Sequence, residues 1–360
     1  MGARIAVAMS GGVDSSVAAW LLKRAGHDVV GLFMRHGIEF QEAAACAHAP
    51  ARRQGCCTAA DAADARRAAA MLDVPFYAVD FHREFDRVVA YFVDEYTAGR
   101  TPNPCIVCNT WLKFGKLFEV ARSVGAECVA TGHHARLIDA GGGDWALCRG
   151  RDPAKDQSYA LFGIPRHRLP SVRFPVGEYR KEAVRAFAAE LGFHVAEKPD
   201  SQELCFVRPG QHAAFVRRRR GQRDTAGEIV TTDGTLVGRH DGIEGFTVGQ
   251  RKGLRVALGE PYYVVRIEPD TNRVVLGRHG ELAREELTAS GANWLVEPPP
   301  RPWRCDVKIR YRSPAEPAEV LVLGEGRFRV RFETPRHGVA PGQAAVCYQG
   351  ERVLGGGWIE

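Results

Sequence analysis

Short apolar runs alternate with amphipathic runs along the first half of the chain, and this alternation predicts strands followed by helices. The apolar runs indicate buried strands at Arg4–Met9, Asp28–Met34, Val74–Val79 and Cys128–Thr131. Apolar residues at three- and four-residue spacing predict helices at Val17–Ala25, Ala59–Leu72, Phe85–Gly99, Lys113–Val124 and Lys181–Leu191. This order is typical of a parallel sheet covered by helices on both faces, in which ligands bind beyond the carboxyl ends of the strands.

From about Gly227 onward the pattern changes to short strands separated by turn residues. Two of these strands are predicted at Pro261–Ile267 and Arg273–Gly277. The C-terminal part is rich in Val, Arg and Gly and has turn signals at Gly324–Gly326 and Pro341–Gly342, which favours a small β-barrel. The sequence therefore predicts an α/β domain with a parallel sheet over residues 1–207, a small central domain over 208–277 and a C-terminal β-barrel domain over 278–360.

The composition is that of an ordinary globular protein with a mildly basic charge. The 360 residues are 26% charged and 45% hydrophobic, which is enough apolar material for the cores of two or three domains. No apolar run approaches the roughly 20 residues of a membrane helix, and the first predicted strand begins too early to leave room for a targeting peptide. We therefore expect a cytoplasmic protein. Its net charge of +6 is compatible with a nucleic-acid partner.

The most distinctive motif is the run Ser10-Gly-Gly-Val-Asp-Ser-Ser16, between the first predicted strand and the first predicted helix. A glycine turn at that point places backbone N–H groups and hydroxyls at a helix N-terminus, where an anion such as phosphate binds. The run lacks the Gly-Lys-Ser/Thr ending of the ordinary P-loop, which argues against a kinase or GTPase. It resembles the pyrophosphate loop (PP-loop) of the ATP pyrophosphatases, which split ATP between the α and β phosphates and adenylate a substrate.

Ten cysteines are many for a protein of a reducing compartment, so they raise the question of metal binding or thiol chemistry. Cys105 and Cys108 form a Cys-x-x-Cys inside the run Thr101-Pro-Asn-Pro-Cys-Ile-Val-Cys-Asn109. This pair comes just ahead of a predicted helix, whose N-terminus would favour the thiolate form. A further cysteine, Cys205, lies in the polar stretch Asp200–Phe206.

Six of the seven other cysteines carry a weaker signal. Four of them lie in apolar, strand-like stretches and are expected to be buried as small apolar residues: Cys128, Cys148, Cys305 and Cys347. Cys56 and Cys57 follow Gly55 at the start of a predicted helix. Together with the Cys-x-x-Cys they leave open a structural zinc site, although the spacing is not that of a zinc ribbon.

Several spaced motifs together make the chain similar to the tRNA-specific 2-thiouridylases, which replace the C2 oxygen of the wobble uridine, position 34 of certain tRNAs, by sulfur. The resemblance covers essentially the whole chain, and the motifs occur in the family's order. They are Ser10–Ser16, Asn103-Pro104 with Cys108-Asn109, Thr131–Arg136, Lys155–Tyr159, Asp200-Ser201 with Cys205-Phe206, Gly249–Gly253 and Arg310–Arg312. The resemblance implies a PP-loop ATP pyrophosphatase domain, a central tRNA-binding domain and a terminal barrel that grips the anticodon arm.

The resemblance also implies roles for particular residues. ATP would bind with Mg²⁺ at the glycine motif, with its adenine near Met34, a residue equally well explained as a core methionine. Cys205 would carry sulfur as a persulfide and Cys108 would be the second catalytic thiol, and the exchange would leave a Cys108–Cys205 disulfide. The nucleotide-binding residues implied are Ala8, Met9, Ser10, Gly11, Gly12, Val13, Asp14, Ser15, Ser16, Met34 and Gly132.

The implied tRNA contacts are spread over the whole chain. Asn103, Pro104 and Cys105 would lie beside the target base, which must turn out of its single-stranded loop to reach Cys108. The basic run Arg217–Arg220 is either a solvated helix face or a phosphate contact. The further tRNA contacts implied are His133, Lys155, Asp156, Gln157, Arg310, Tyr311 and Gln343. We expect a monomer whose partners are tRNA and a persulfide donor such as a cysteine desulfurase or a sulfur-relay protein.

One position departs from the family pattern, which has an aspartate where this chain has Cys105. With this change Cys105, Cys108 and Cys205 offer three thiolates. Iron–sulfur-dependent tRNA thiolases are thought to hold a 4Fe–4S cluster with three cysteines, which leaves one iron open. That open iron binds and activates a sulfide. The departure leaves two mechanisms open, a persulfide on Cys205 or a cluster on the three cysteines.

Two other classes of protein compete with this interpretation. Other adenylating ligases share the glycine motif, among them GMP synthetase-like amidotransferases, argininosuccinate synthetase-like enzymes and 4-thiouridine synthases. None of them explains the Asn-Pro-Cys-x-x-Cys-Asn motif together with a terminal barrel. A non-enzymatic tRNA-binding protein would not need an intact Asp14 with Cys108 and Cys205. A purine ligase should turn over ATP without RNA, whereas a binding module should bind tRNA and form no 2-thiouridine.

Overall fold

The computed structural model describes residues 2–37, 58–200, 204–221 and 223–360. It contains two compact units, Met1–Arg87 with Val107–Pro209, and Val88–Ile106 with Gly210–Glu360. The central and C-terminal regions fall in one unit, and the three domain boundaries drawn from the sequence stay predictions. The zinc hypothesis for Cys56 and Cys57 lies outside the described residues.

The strands of the first unit are β1 (Arg4–Ala8), β2 (Asp28–Arg35), β3 (Phe76–Asp80), β4 (Cys128–Thr131), β5 (Ala135–Gly141), β6 (Asp144–Arg149) and β7 (Val172–Arg173). Five of them form a parallel sheet in the order β3–β2–β1–β4–β7. Strands β5 and β6 form an antiparallel hairpin. The four predicted strands and their parallel arrangement are confirmed, and the carboxyl ends of β1, β2 and β4 meet at one edge of the sheet.

The α-helices are α1 (Val13–Arg24), α2 (Ala59–Met71), α3 (His82–Thr97), α4 (Pro104–Val107), α5 (Leu117–Ser123), α6 (Lys181–Glu190) and α7 (His212–Arg219). A π-helix spans Cys108–Lys116. Helix α1 begins at Val13 rather than Val17, because the end of the glycine motif forms its first turn. Thr58 and Asp61 form the capping box that starts α2. Gly99, with φ of +69°, follows α3 as predicted. Within the described ranges, no helix is long and apolar enough to cross a membrane.

Apolar side chains cover the parallel sheet and fix its strand ends. Ile5 and Val7 of β1 and Phe33 of β2 are fully buried in one cluster with Val17 of α1 and Val184 of α6. Burial of apolar surface stabilises a fold by about 25 cal/mol per Å². The cluster therefore holds the glycine motif on a rigid base between a core strand and a core helix.

The strands of the second unit are β8 (Gly227–Thr231), β9 (Leu236–His240), β10 (Tyr263–Glu268), β11 (Arg273–Gly277), β12 (Ala283–Trp294), β13 (Trp303–Lys308), β14 (Glu316–Gly324), β15 (Arg327–His337), β16 (Ala344–Gln349) and β17 (Arg352–Ile359). The first four form a sheet in the order β10–β11–β8–β9. The last six form an antiparallel barrel in the order β12–β15–β14–β13–β16–β17, which closes between β17 and β12. The predicted C-terminal barrel is confirmed.

The alternation that predicted the barrel corresponds to the two faces of its strands. In β15, Phe328 and Val330 are fully buried, whereas the arginines that alternate with them, Arg327, Arg329 and Arg331, are exposed. Three of the four cysteines expected in strand interiors are buried, and the exception is Cys305 in β13, which is half-buried. Its thiol is hydrogen-bonded to that of Cys347.

Candidate active site

The glycine motif connects the carboxyl end of β1 to the first turn of α1. Ser15 and Ser16 donate hydroxyl hydrogen bonds to the carbonyl oxygen of Gly12, at 3.1 and 3.0 Å. The Ser10 N–H donates to Ser15 Oγ at 3.1 Å. Gly12 is the N-cap residue of α1, and no side chain caps this helix end. The backbone N–H groups of the first turn are therefore directed toward the place where an anion would bind.

Two basic side chains from distant parts of the chain bind the carboxylate of Asp14, in the first turn of α1. Lys181 Nζ lies 2.7 Å from both carboxylate oxygens, and His134 Nε2 lies 3.2 Å from Oδ1. Burial acts to raise the pKa of Asp14, but the hydrogen bond with His134 and the charge of Lys181 together lower it below its usual value. Asp14 is therefore ionised at neutral pH, beside an ammonium group on a residue only 5% exposed.

Asp200 binds three basic side chains at once. Its carboxylate lies 2.8 Å from Lys155 Nζ, 2.8 Å from Arg185 Nη2 and 2.9 Å from Lys181 Nζ. Burial acts to raise the pKa of Asp200, but the hydrogen bonds from Lys155 and Lys181 outweigh it and lower the pKa to about 2. Lys181 thus bridges two carboxylates, one in the glycine motif and one in the polar stretch that precedes Cys205 in the sequence.

A second lysine, Lys198, contacts the other end of the glycine motif. Its Nζ donates to the carbonyl oxygen of Gly11 at 2.8 Å, to Asp61 at 2.7 Å and to Asp64 at 2.9 Å. Gly11 has φ of +71°, and a Cβ at this position would overlap the backbone carbonyl of Asp61 in α2. The motif therefore requires glycine here, because the loop packs directly against the backbone of a neighbouring helix.

Lys181 and Lys198 were not predicted from the sequence as site residues. They lie 167 and 187 residues from their partners in the glycine motif. One signal could have indicated Lys181, the first residue of a predicted helix. In an α/β domain a helix that follows a strand begins at the carboxyl edge of the sheet, where ligands bind.

The other implied nucleotide-binding residues lie at the ends of three neighbouring strands. Ala8 and Met9, at the end of β1, are buried, and Met34 near the end of β2 is half-buried. Gly132 follows β4 and packs against the glycine motif, because a Cβ there would lie 2.7 Å from the carbonyl carbon of Asp14. The expectation that these strand ends meet is confirmed, while the nucleotide contacts stay predictions.

Cys105 and Cys108 lie within a helical segment rather than just ahead of one. Helix α4 begins at Pro104, so Cys105 is in its first turn, where it is exposed. Cys108 is half-buried and is the first residue of the π-helix. The predicted helix start at Lys113 is therefore wrong, because apolar spacing does not reveal the wider hydrogen bonding of a π-helix. Such helices are rare and are frequently found at functional sites.

Packing and hydrogen bonding hold the residues that follow Cys108 and Cys205. Asn109 Nδ2 donates to the carbonyl oxygen of Ala160 at 2.9 Å. Phe206 is buried and packs edge-on against Phe85, with ring centroids 5.6 Å apart. Cys108 and Cys205 both belong to the first unit and both are half-buried. Their catalytic roles and their disulfide stay predictions.

In the second unit, the barrel holds the loop that leads to α4. The Thr101 N–H donates to the carbonyl oxygen of Pro341 at 2.7 Å, and Gln343 Nε2 donates to the carbonyl oxygen of Thr101 at 2.9 Å. Asn103 Oδ1 accepts a hydrogen bond from the Ile106 N–H at 3.3 Å. Gln343, which the resemblance implies as a tRNA contact, thus positions the loop that contains Asn103.

The implied tRNA contacts of the first unit include buried residues. His133 is 8% exposed, its Nδ1 lies 2.7 Å from Thr131 Oγ1, and burial lowers the pKa of His133 well below its usual value. Asp156 is also 8% exposed and accepts hydrogen bonds from the backbone N–H groups of Gly150 and Ser158, at 3.2 and 3.0 Å. These two side chains are buried and make hydrogen bonds within the protein, whereas the side chain of Lys155 is partly exposed to solvent.

In the second unit, Arg310 connects two loops and Tyr311 lies at the surface. Arg310 donates to the carbonyl oxygens of Val248 and Gly338, at 2.7 and 2.9 Å. Tyr311 is 42% exposed, with the ammonium of Lys308 5.8 Å from its ring centre. An exposed tyrosine beside basic groups can stack on a nucleobase. The implied contacts at Arg310 and Tyr311 stay predictions.

The arginine run at 217–220 combines a structural pair with a solvent-exposed pair. Arg217 Nε lies 2.7 Å from Glu244 Oε1, and Arg220 Nη1 lies 2.6 Å from Glu244 Oε2. Glu244 is fully buried, and the two middle arginines of the run are exposed. Neither a solvated helix face nor a phosphate contact describes the whole run, because Arg217 and Arg220 pair with the buried carboxylate of Glu244.

We expect Glu244→Gln to lower the free energy of unfolding by about 3 kcal/mol, because it leaves two arginines beside a buried neutral group. Urea titration followed by circular dichroism measures this change. Glu333→Gln is the matched control, since Glu333 pairs with Arg304 at 3.7 Å on the exposed surface of the barrel. Equal stability of the two variants would contradict the structural role of the Glu244 pair.

Comparison with known families is consistent with this architecture. The model of the tRNA methyl transferase HUP domain matches residues 3–209, that of the tRNA methyl transferase PRC-barrel domain matches 213–278, and that of the aminomethyltransferase β-barrel domain matches 284–359. Similar proteins extend over the whole chain. The tRNA-specific 2-thiouridylase MnmA of Rhodopirellula baltica is 51% identical, over 99% of this chain and 96% of its own length. The protein of the same name from Solibacter usitatus is 47% identical over 99% of both chains. This chain therefore belongs to the tRNA-specific 2-thiouridylase family.

Proposed function

We propose that this protein converts the wobble uridine, position 34 of tRNA, to 2-thiouridine, with consumption of ATP and release of AMP and pyrophosphate. The observation that carries the proposal is the ion network in which Lys181 joins Asp14 of the glycine motif to Asp200, five residues before Cys205. The network connects a site suited to phosphate with the stretch that contains a candidate sulfur carrier. The relatives named above are 2-thiouridylases of tRNA.

The residues around the glycine motif fit ATP with magnesium. The uncapped N-terminus of α1 and the ammonium groups of Lys181 and Lys198 favour the phosphates. Asp14 would supply a carboxylate oxygen to Mg²⁺, which prefers oxygen ligands and neutralises phosphate charge when bound. Met34 would pack against the adenine.

Gly132→Ala is expected to weaken ATP binding by about 10- to 100-fold, because the added methyl group would overpack the backbone of the glycine motif. Titration with a fluorescent ATP analogue measures the dissociation constant. Gly280→Ala is the matched control, since no atom of the described residues lies within 4 Å of a Cβ at Gly280. An unchanged dissociation constant in Gly132→Ala would show that nucleotide binding does not depend on the packing of Gly132 against the glycine motif.

The proposed reaction uses the thiols of Cys108 and Cys205, and each step accounts for the bond formed and the group that leaves. The uridine O2 attacks the α-phosphorus of ATP, and pyrophosphate leaves. The terminal sulfur of a Cys205 persulfide then attacks C2, and AMP leaves. The Cys108 thiolate attacks the Cys205 sulfur, which releases the thiolated base and forms a Cys108–Cys205 disulfide. Two thiols of an external dithiol reduce that disulfide before the next turnover and become a disulfide themselves.

The alternative mechanism requires Cys105, Cys108 and Cys205 to hold a 4Fe–4S cluster. Among the residues that the structure describes, no three His, Cys, Asp or Glu side chains are grouped so that they could hold a metal ion. A 4Fe–4S cluster binds its cysteines on separate iron atoms, so this finding concerns single metal ions, and we derive no step through a cluster. Half-buried Cys108 and Cys205 are compatible with thiol exchange, and exposed Cys105 would lie beside the target base.

The proposed partners follow from this chemistry. The anticodon arm of a tRNA would reach Cys108 with its wobble base turned out, and Lys155, Arg310 and Tyr311 would contact the RNA. A cysteine desulfurase or a sulfur-relay protein would transfer the persulfide sulfur to Cys205. We infer that a monomer acts on each tRNA in the cytoplasm.

The experiment that tests the function uses protein purified without oxygen and assayed with ATP, unmodified tRNA and a persulfide donor. Nucleosides from the digested tRNA are separated, so that 2-thiouridine is distinguished from 4-thiouridine by retention time and ultraviolet spectrum. We expect 2-thiouridine from iron-free protein. Formation of 4-thiouridine, or ATP turnover that does not require RNA, would favour the rival ligases. Bound iron and sulfide, lost together with activity in Cys105→Ser, would establish the cluster mechanism instead.

A further inference from the structure

A cavity of about 310 Å³ lies in the second unit, in the segment that connects β9 to β10. Leu254, which lines it, is buried in the core cluster of the four-stranded sheet, with Val264 of β10 and Leu276 of β11. The half-buried side chains of Leu258 and Tyr262 line the cavity and pack against the same cluster. The cavity therefore has apolar walls and one aromatic ring, and it is built on the core of the sheet.

The backbone at the cavity is held in a defined conformation. The Gln250 side chain accepts a hydrogen bond from the Thr247 N–H and donates one to the carbonyl oxygen of Lys252, both at 3.0 Å. Arg255 has φ of +56°, a left-handed conformation that a residue with a Cβ keeps only where its surroundings hold it. Arg251 and Arg255, which both line the cavity, are thus presented by a fixed loop.

The charged side chains at the cavity leave positive charge available to a ligand. Arg251 is exposed and makes no ion pair with any residue that the structure describes. Arg255 lies 4.0 Å from Asp241, and because both side chains are exposed, their attraction is weak. The carboxylate of Glu260 already accepts two hydrogen bonds from Arg278, at 3.0 and 2.8 Å. A bound anion would therefore meet two arginines with little competition from carboxylates.

One nucleotide within an RNA chain fits this combination. Its base is flat and can stack on an aromatic side chain, and a phosphate on each side of it can bind a guanidinium. A free nucleotide carries its charge at one end, whereas Arg251 and Arg255 are four residues apart in the loop and both are exposed. Unpaired bases of RNA loops are readily turned out and stacked on protein side chains. The volume is at the lower end of the roughly 300–1,000 Å³ of ligand pockets, which suits a single nucleotide.

We propose that this cavity binds one unpaired nucleotide of the tRNA, with Tyr262 stacked on the base and Arg251 and Arg255 on the flanking phosphates. The inference rests on the proposed function only in taking tRNA as the substrate. The wobble uridine must reach Cys108 in the first unit, so the nucleotide bound here is a different one. The cavity contributes to the affinity and the register of the tRNA and takes no part in the chemistry.

The phosphate contacts are tested by the salt dependence of tRNA binding. The dissociation constant of fluorescein-labelled tRNA is measured by anisotropy between about 50 and 200 mM salt, without ATP or a sulfur donor. The double variant Arg251→Gln with Arg255→Gln is expected to bind at least about tenfold more weakly at the lower salt concentration. The slope of log Kd against log salt concentration should fall by about 1.4, since each phosphate of a single strand contributes about 0.7.

The matched control for the arginines is Arg239→Gln. Arg239 lies in β9 of the same sheet, is exposed and is 4.0 Å from Glu228, but it does not line the cavity. Its substitution should leave both the dissociation constant and the salt slope unchanged. Thermal unfolding followed by circular dichroism verifies that each variant is folded.

The stacking contact has a different signature. Tyr262→Leu is expected to weaken tRNA binding at least about fivefold without changing the salt slope, because it removes a ring and no charge. Tyr262→Phe keeps the ring and should bind as the unaltered protein does. Replacing single unpaired nucleotides of the tRNA by abasic ones identifies the bound base. At that position the abasic change and Tyr262→Leu together should weaken binding no more than either change alone.

Three outcomes would overturn the proposal. An unchanged affinity and salt slope in the folded double arginine variant would show that no phosphate binds at the cavity. Equal weakening by Tyr262→Phe and Tyr262→Leu would show that the ring does not stack on a base. Binding of free AMP or UMP that is lost in the double arginine variant, with tRNA binding unchanged, would assign the cavity to a free nucleotide. Failure of the proposed function is distinguishable, since tRNA would then bind through the cavity although no 2-thiouridine forms.

Discussion

Cys205→Ser and Cys108→Ser are each expected to lower 2-thiouridine formation by at least about 10⁴-fold, as loss of a covalent nucleophile does in other enzymes. A serine hydroxyl cannot carry a persulfide or form the disulfide that releases the thiolated base. Binding of tRNA should be unchanged in both variants, because each substitution replaces one half-buried atom. Nucleoside analysis of the tRNA measures the loss, and a gel shift measures tRNA binding.

The two serine variants should fail at different steps. With a ³⁵S-labelled persulfide donor, the Cys108→Ser variant should accept label on Cys205. The Cys205→Ser variant should carry no label at position 205. Cys305→Ser is the matched control, since Cys305 is a half-buried cysteine in the barrel and should leave thiolation intact. Full activity in either Cys205→Ser or Cys108→Ser would refute the catalytic assignment.

Asp14→Ala is expected to lower tRNA-dependent pyrophosphate release by at least about 10³-fold, the upper range for loss of one preorganised electrostatic group. The substitution removes the carboxylate proposed to bind magnesium, and it leaves Lys181, 5% exposed, without one of its two anionic partners. A coupled assay for pyrophosphate measures the first half-reaction independently of sulfur transfer.

The control for this variant is an aspartate at the opposite edge of the parallel sheet. Asp28→Ala removes a carboxylate at the start of β2, where Asp28 pairs with Arg4 at 3.5 Å and its side chain is 59% exposed. It should leave pyrophosphate release unchanged, because it lies at the amino edge of the sheet. Normal release by folded Asp14→Ala would count against the assignment of the glycine motif to ATP.

The strands and the barrel could be predicted from the sequence because their signals are local. β1 and β4 are continuous apolar runs, as strands covered on both faces require. β15 alternates exposed arginines with buried apolar residues, which is the period of a strand with one covered face. In each case neighbouring residues contain the whole pattern, so no knowledge of the tertiary fold is needed.

The ion network could not be predicted in the same way. Lys181 occurs in an amphipathic helix, where a lysine usually lies on the solvated face, yet it is almost fully buried between two carboxylates. Its burial depends on tertiary packing, which is not visible in helical periodicity. Arg217 and Arg220 illustrate the converse, because a basic run that suggested solvent or phosphate includes two partners of the buried Glu244.

The start of the helix at Cys108 was missed for a different physical reason. Helical periodicity assumes about 3.6 residues per turn, and the π-helix at Cys108–Lys116 has a wider turn that displaces apolar positions from that spacing. The motif around Cys108 was recognised by its residue types. Its local geometry required the structure.

The long separation between the glycine motif and its lysines has a consequence during synthesis of the chain. Asp14 precedes Lys181 by 167 residues, and Gly11 precedes Lys198 by 187. At a translation rate of roughly 5–20 residues per second, the motif leaves the ribosome about 10–30 s before these lysines are made. A nascent chain therefore displays the motif long before it has the two lysines that contact it. The contacts of the motif with Lys181 and Lys198 can form only after both lysines have been synthesised.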